Sequence, residues 1–145
     1  MAKCVKSVKT RHRPRNYEHN RMINIQVPEN TPPGGHYSHA VAAAGLVFIS
    51  GQLPIHPVEG RLNQADFARQ AGCAIDNLLR VLKAAGSGPE RLLKVNVYVV
   101  GIHHWPEFDA IYAQRLGHHR PARAVIPVPE LHHGFLVEID GIAAA

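Results

Sequence analysis

The chain has 145 residues, of which 46% are hydrophobic and 19% are charged. This composition is typical of a globular domain, argues against general disorder, and suits one hydrophobic core rather than two. The longest weakly polar stretch, residues 40–49, is interrupted by Gly45 and is far shorter than the roughly 20 residues that a membrane helix needs. We therefore predict one domain without a membrane-spanning segment.

The formal net charge of +5 comes from the N-terminal segment. Residues 1–21 carry seven Lys or Arg against one acidic residue, which gives +6, whereas residues 22–145 carry nine against ten, which gives −1. Basic termini can contact nucleic acid or acidic surfaces, but most are solvated extensions with little fixed structure. We predict a basic, poorly ordered extension over residues 1–21 and a single domain over residues 22–145.

Neither the extension nor the cysteines indicate secretion. The extension lacks the apolar core of a secretory signal, and it has the charge but not the amphipathic pattern of a transit peptide. Cys4 and Cys73 form no CxxC pair, so no disulfide is predicted. Cys73 follows Gly72 and lies among alanines, which favours a small buried side chain over a nucleophile. These features predict a cytoplasmic protein.

The hydrophobic pattern alternates between strand and helix periods in the order β-β-β-α-β-α-β-β. Helical spacing of apolar residues predicts a helix over residues 64–85, ended by Gly86, and a second helix from Trp105 to Leu116. Ala44-Gly45 marks a tight turn between two strands, and a loop is predicted through Pro54, Pro57 and Gly60. The predicted strands are residues 22–27, 38–43, 46–50, 93–99, 122–128 and 135–143.

Two helices against one mixed sheet predict an α+β fold. The other face of the sheet must also be covered, and no residues remain to cover it. Self-association is therefore expected.

Arg123 is the leading candidate for a functional residue. Its guanidinium interrupts the apolar run over residues 122–126, and its desolvation there is unfavourable unless an anion meets it. Glu138 and Asp140 lie two residues apart on one strand face, so one of them is a candidate partner. A structural ion pair explains this pattern at least as well as an anchor for the carboxylate of a ligand.

The eleven histidines do not predict a metal site. The sequence has no HExxH motif and no helical pair at i, i+4. His36 and His39 flank Tyr37 and could line a pocket, although isolated histidines are commonly surface residues. The GxSxG, P-loop and dinucleotide motifs are missing as well.

Two sequence runs carry a resemblance to a known family. HYSHAVAAAGLVFISGQLPI, from His36, and RPARAVIPVPELHHGFLVEIDGIA, from Arg120, are similar to the two signature blocks of the RidA family, also named YjgF or endoribonuclease L-PSP. The segment DNLLRVLKAAGSGPERLLKVNVYV between them matches as well. The resemblance covers residues 22–143 and leaves out the basic extension.

The resemblance implies a chorismate-mutase-like α+β subunit in a homotrimer, with a ligand cleft at each subunit interface. It also implies hydrolysis of reactive 2-imino acids, formed from enamines such as 2-aminoacrylate, to 2-keto acids and ammonia without cofactor or metal. Arg123 would clamp the substrate carboxylate, Glu138 would activate the attacking water, and Tyr37 would close the pocket. The other residues implied at the substrate are Ser50, Gly51, Asp109 and the backbone of Val125.

Departures from the family pattern leave the preferred imine open. His36 replaces a common proline, Asp109 stands where asparagine is frequent, and Ala124-Val125 replaces the usual Ser-Cys or Ser-Thr. Two other functions compete with deamination. One is a non-catalytic, small-molecule-binding or chaperone-like trimer, and the other is RNA cleavage or translation inhibition, for which the domain lacks a stripe of positive charge.

Overall fold

The computed structural model describes residues 21–145, so the predicted extension lies outside the described residues except for Arg21. The elements are β1 (Ile23–Ile25), β2 (Ala40–Ala43), β3 (Leu46–Gln52), β4 (Ile55–His56), β5 (Gly60–Arg61), α1 (Phe67–Ala84), β6 (Leu92–Val100), α2 (Trp105–Leu116), β7 (Ala122–Val128) and β8 (Val137–Ala144). They form a six-stranded mixed sheet, a separate two-stranded hairpin and two helices, which confirms the α+β prediction.

The main sheet has six strands in the order β1-β2-β3-β8-β6-β7. β6 and β7 are parallel, and the other neighbouring strands are antiparallel. α2 connects the parallel pair, as expected because parallel strands need a crossover. β7 is therefore an edge strand, and its outer backbone groups have no partner strand among the described residues.

Both helices lie on one face of the sheet. Buried and half-buried residues alternate along β6 and β8, with Val95, Val97 and Ile139 fully buried on the helix side. α1 packs on β8 and β3, and α2 packs beside α1. α1 begins at Phe67 rather than at the predicted residue 64, because Asp66 accepts a hydrogen bond from Arg69 N at 2.8 Å and caps the helix.

The opposite face has a polar centre. Asp140 accepts hydrogen bonds from Asn96 Nδ2 and from the Tyr98 hydroxyl, both at 2.9 Å. Phe48, on the same face, is 44% exposed. No helix among the described residues covers this face, as the element count predicted.

The segment after β3 differs from its sequence prediction, whereas the burial of Cys73 agrees with its prediction. The loop predicted through Pro54 and Gly60 instead contains the hairpin β4–β5, which Asn77 of α1 holds by donating to the Leu53 and Ile55 carbonyls. Cys73 is buried, and burial raises the pKa of its thiol to about 11, which confirms the predicted buried side chain. No helix within residues 21–145 is both long and apolar enough to cross a membrane.

The turn between β2 and β3 is a site for stabilisation. Ala44 and Gly45 have φ angles of 53° and 77°, and the left-handed region is unfavourable for alanine. Ala44→Asn should raise the free energy of unfolding by about 0.5–1 kcal/mol, because asparagine tolerates this region. Chemical denaturation measures the change, and Ala44→Val should have the opposite effect. Equal stability of the three proteins would contradict this prediction.

Candidate functional site

A cleft of about 790 Å³ opens beside the end of β3. Its walls come from the loop before β2, the bulged part of β3, the β4–β5 hairpin and the turn before β8. The lining includes Pro32, Tyr37, His39, Ser50, Gly51, Gln52, Arg61, His132, His133 and Glu138. The cleft thus contains four of the predicted site residues, namely Tyr37, Ser50, Gly51 and Glu138.

A β-bulge places Ser50 and Gly51 in the cleft wall. In the β3–β8 ladder, Ile49 pairs with Gly141, whereas Gln52 pairs with Ile139, so β3 contains one extra residue. Bulges redirect the strand and its side chains and are frequent near functional sites. The Ser50 hydroxyl donates to the Ser38 carbonyl at 2.7 Å, which ties the bulge to the chain entering β2.

Glu138 presents its carboxyl group to the bulge. A Cβ atom on Gly51 would lie 3.0 Å from Glu138 Cδ and closer still to Oε1, so the missing side chain leaves room for the carboxyl. Burial raises the pKa of Glu138, His132 lowers it and Asp140 raises it further. None of the described residues hydrogen-bonds this carboxyl. It is therefore free to accept a hydrogen bond from a water molecule or a ligand in the cleft.

The loop over residues 28–39 carries Tyr37 at the cleft mouth. Tyr37 is 52% exposed, and its hydroxyl accepts a hydrogen bond from Gly34 N at 3.3 Å. His39 is buried below the loop, where Nδ1 accepts from Val27 N at 3.1 Å and Nε2 faces the Thr31 carbonyl at 3.0 Å. This geometry requires a neutral ring that donates from Nε2, so His39 anchors the loop.

Arg123 does not lie in this cleft. Its Nη2 donates to Asp109 Oδ1 at 2.6 Å, and its guanidinium stands 4.8 Å from the ring centroid of Tyr112 and 6.0 Å from that of Phe108. The pairing of Arg123 with Glu138 or Asp140, considered from the sequence, is therefore wrong within the chain. The partner of Arg123 is instead Asp109, which lies on α2.

The strand register explains this separation. Glu138 is aligned with Tyr98 of β6 on the face opposite the helices, here called the open face. Arg123 is aligned with Val95 on the helix-covered face. Aligned residues in a ladder share a face, so the two side chains leave opposite faces of the sheet. Val125 lies two residues beyond Arg123 on the same face, and its backbone is likewise away from the cleft.

The sequence did not indicate the cleft position of His132 and His133. They form a short turn before β8, in which His133 has a φ of 60°. Adjacent histidines in a turn have no periodic pattern, and the following Gly134 was the one available signal for a sharp turn. Among the described residues, no group of three His, Cys, Asp or Glu side chains is arranged to hold a metal ion.

Comparison with known proteins gives consistent matches over this domain. Residues 28–145 match the family described as Endoribonuclease L-PSP. The chain belongs to this family, which is also named RidA or YjgF. Protein HMF1 of Saccharomyces cerevisiae is 38% identical over 74% of this chain and 83% of its own length. The human 2-iminobutanoate/2-iminopropanoate deaminase is 34% identical over 84% of this chain and 90% of its own.

The fold matches solved structures of the same family. Escherichia coli TdcF, solved with bound serine, superimposes with a TM-score of 0.80 at 26% identity, over 85% of this chain and 98% of its own. Protein MMF1 of Saccharomyces cerevisiae, which is named as mitochondrial, is 30% identical over 85% of this chain and 87% of its own. Family membership is thus compatible with more than one compartment, and the cytoplasmic prediction stays a prediction.

The raised pKa of Glu138 predicts a stabilising substitution. The folded state binds the proton of the Glu138 carboxyl more tightly than the unfolded state does. Ionised Glu138 therefore lowers the free energy of unfolding at pH values above its folded-state pKa, and this loss is absent below its unfolded-state pKa. Glu138→Gln should therefore raise the melting temperature by about 1–3 °C at pH 7 and less at pH 4. Thermal unfolding at both pH values measures this, with the exposed Glu130→Gln as control. A lower melting temperature at pH 7 would contradict it.

Proposed function

We propose that this protein hydrolyses reactive 2-imino acids, such as those formed from 2-aminoacrylate, to 2-keto acids and ammonia. The observation that carries the proposal is the Glu138 carboxyl, which is half-buried in the cleft above Gly51 with a raised pKa. A carboxylate with a raised pKa is a better base than an ordinary surface glutamate. The name of the human relative supplies the reaction class.

The chain's own groups suffice for this chemistry. Water adds to the electrophilic C2 of the imine while Glu138 accepts its proton, and the resulting carbinolamine expels ammonia as the C2 carbonyl forms. Glu138 gives this proton to the leaving nitrogen and then accepts the hydroxyl proton of the carbinolamine as the carbonyl forms. One protonated imine and one water thus yield one 2-keto acid, one ammonia and one proton, which leave together as ammonium, without a redox partner. Tyr37 closes the cleft mouth, and Ser50 and Gly51 line the substrate. No cofactor enters the proposed reaction.

The carboxylate anchor comes from a second copy of the chain. Arg123 and Glu138 leave opposite faces of the sheet, so one copy supplies the cleft and the β7 edge of its neighbour supplies Arg123, Asp109 and the backbone of Val125. Arg123 then binds the substrate carboxylate in bidentate fashion. A closed homotrimer with three equivalent interfacial sites satisfies this requirement and covers the open sheet face.

Arg123→Ala should abolish ammonia release from freshly generated 2-iminopropanoate, because the substrate loses its carboxylate anchor. Arg123→Lys keeps the charge but not the bidentate geometry and should retain a small part of the activity. A coupled assay of ammonia release measures both variants against the wild type. Undiminished turnover by Arg123→Ala would exclude the proposed anchor.

Mixed oligomers test the composite site directly. Arg123→Ala and Glu138→Gln subunits, each inactive alone, should regain roughly a quarter of wild-type activity when refolded together in equal amounts, because random assembly pairs an intact Arg123 with an intact Glu138 at that frequency. Size-exclusion chromatography with light scattering gives the subunit number. Failure to complement, with mixing confirmed by a tagged subunit, would contradict a site shared between two copies.

Gly51→Ala tests the position of the Glu138 carboxyl. Gly51 does not have a positive φ, so alanine fits the backbone, but its Cβ would displace the carboxyl. We expect kcat/KM for imine hydrolysis to fall by about 10-fold to 100-fold, with a small change in melting temperature. Gly34→Ala is the matched control, since a Cβ there meets no atom within 4 Å. Full activity of Gly51→Ala would contradict this role.

The two alternatives predict other outcomes. A non-catalytic trimer would bind 2-keto acids in the cleft and never release ammonia from imines. RNA cleavage, suggested by the family description, would fall when residues 1–21 are deleted, because the remaining domain has a net charge of −1. We also propose a cytoplasmic location, for which cell fractionation is the test.

A further inference from the structure

Arg123 already has an anionic partner before any ligand binds. Asp109 Oδ1 lies 2.6 Å from Nη2, and the two side chains are 47% and 19% exposed. The guanidinium also stacks over the Tyr112 ring at 4.8 Å. Arg123 is thus held on two sides, by a carboxylate and by an aromatic face.

The ion pair leaves room for a second carboxylate. A guanidinium has five N–H donors, and Asp109 uses one Nη2 position through a single oxygen. Nη1, Nε and the second Nη2 hydrogen have no partner among residues 21–145, so they can bind a carboxylate in bidentate fashion. Asp109 therefore orients the Arg123 guanidinium without using all of the guanidinium's donors. The negative charge of Asp109 lies next to a ligand bound there.

This charge distinguishes two kinds of ligand. Arg123 and Asp109 together have no net charge, and a 2-imino acid with a protonated nitrogen is a zwitterion that also has none. The 2-keto acid product has a net charge of −1. Asp109 repels the carboxylate in both ligands, but in the zwitterion its attraction to the cationic nitrogen offsets much of this repulsion.

We propose that Asp109 is a positioning residue that orients Arg123 and sets its charge selectivity, favouring zwitterionic substrates over anionic 2-keto acid products. This inference rests on the proposed role of Arg123 as a carboxylate anchor. It extends that role, because product release then follows from the loss of the cationic nitrogen during hydrolysis.

Two substitutions at Asp109 separate orientation from charge. Asp109→Asn keeps an oxygen that accepts from Nη2 but removes the negative charge, whereas Asp109→Ala removes both. Asp76→Asn is the matched control, since Asp76 pairs with Arg115 at 2.9 Å away from the cleft. The probes are 2-oxobutanoate, an anion, and serine, a zwitterion, and neither requires turnover.

Isothermal titration calorimetry on the full-length oligomer measures both affinities. Asp109→Asn should tighten 2-oxobutanoate binding by about threefold to tenfold and change serine binding by less than about twofold. Asp109→Ala should weaken both ligands, because Arg123 loses its orientation. Asp76→Asn should change neither ligand. If Asp109→Ala fails to fold, the two affinities of Asp109→Asn decide the question.

Each contrary result would overturn a different part of the proposals. Unchanged 2-oxobutanoate affinity in Asp109→Asn, or an equal gain for both ligands, would overturn the charge selectivity. Wild-type protein that binds neither ligand would overturn the inference together with the anchor role of Arg123. Binding with the expected selectivity but without imine hydrolysis would support the inference and overturn deamination alone.

Discussion

The two helices bury only one face of the sheet, and the geometry of the candidate site depends on this constraint. Because both helices cover the same face, every other residue of β6 and β8 is fixed in the core, and the residues between them face away from the helices. This alternation directs Glu138 to the open face and Arg123 toward α2. In the proposed reaction, a single copy therefore holds two half-sites, and the interface between copies joins them.

The cleft depends on two local departures from regular structure. The bulge at Ser50 and Gly51 interrupts the β3–β8 ladder, and the space above Gly51 takes a carboxyl group whose ionised form is penalised by burial. The bulge leaves one residue outside the ladder, and burial disfavours the ionised carboxyl, so neither feature would occur in a regular, solvent-facing strand. The loop bearing Tyr37 is anchored by the buried His39, which fixes the chain beneath the exposed tyrosine.

Much of the fold could be predicted because its signals are local. The period of the apolar residues located α1 and α2, and β7 occupies the predicted residues 122–128. The β4–β5 hairpin was missed because two-residue strands have no measurable period. The bulge and the Arg123–Asp109 pair were missed for another reason: both depend on which segments meet in space. Sequence patterning gives the face of a residue and not its partner across the fold.

The charges around Arg123 and Glu138 come from neighbouring side chains and not from the backbone fold. This chain and TdcF share a backbone fold with a TM-score of 0.80 at 26% identity, so a common frame carries largely different side chains. At the Arg123 half-site the distinctive group is Asp109, whose charge an asparagine would lack. At the cleft half-site His132 acts on the pKa of Glu138. In the proposed reaction, substrate preference follows from the charges around two fixed groups, a guanidinium and a carboxyl, rather than from the fold.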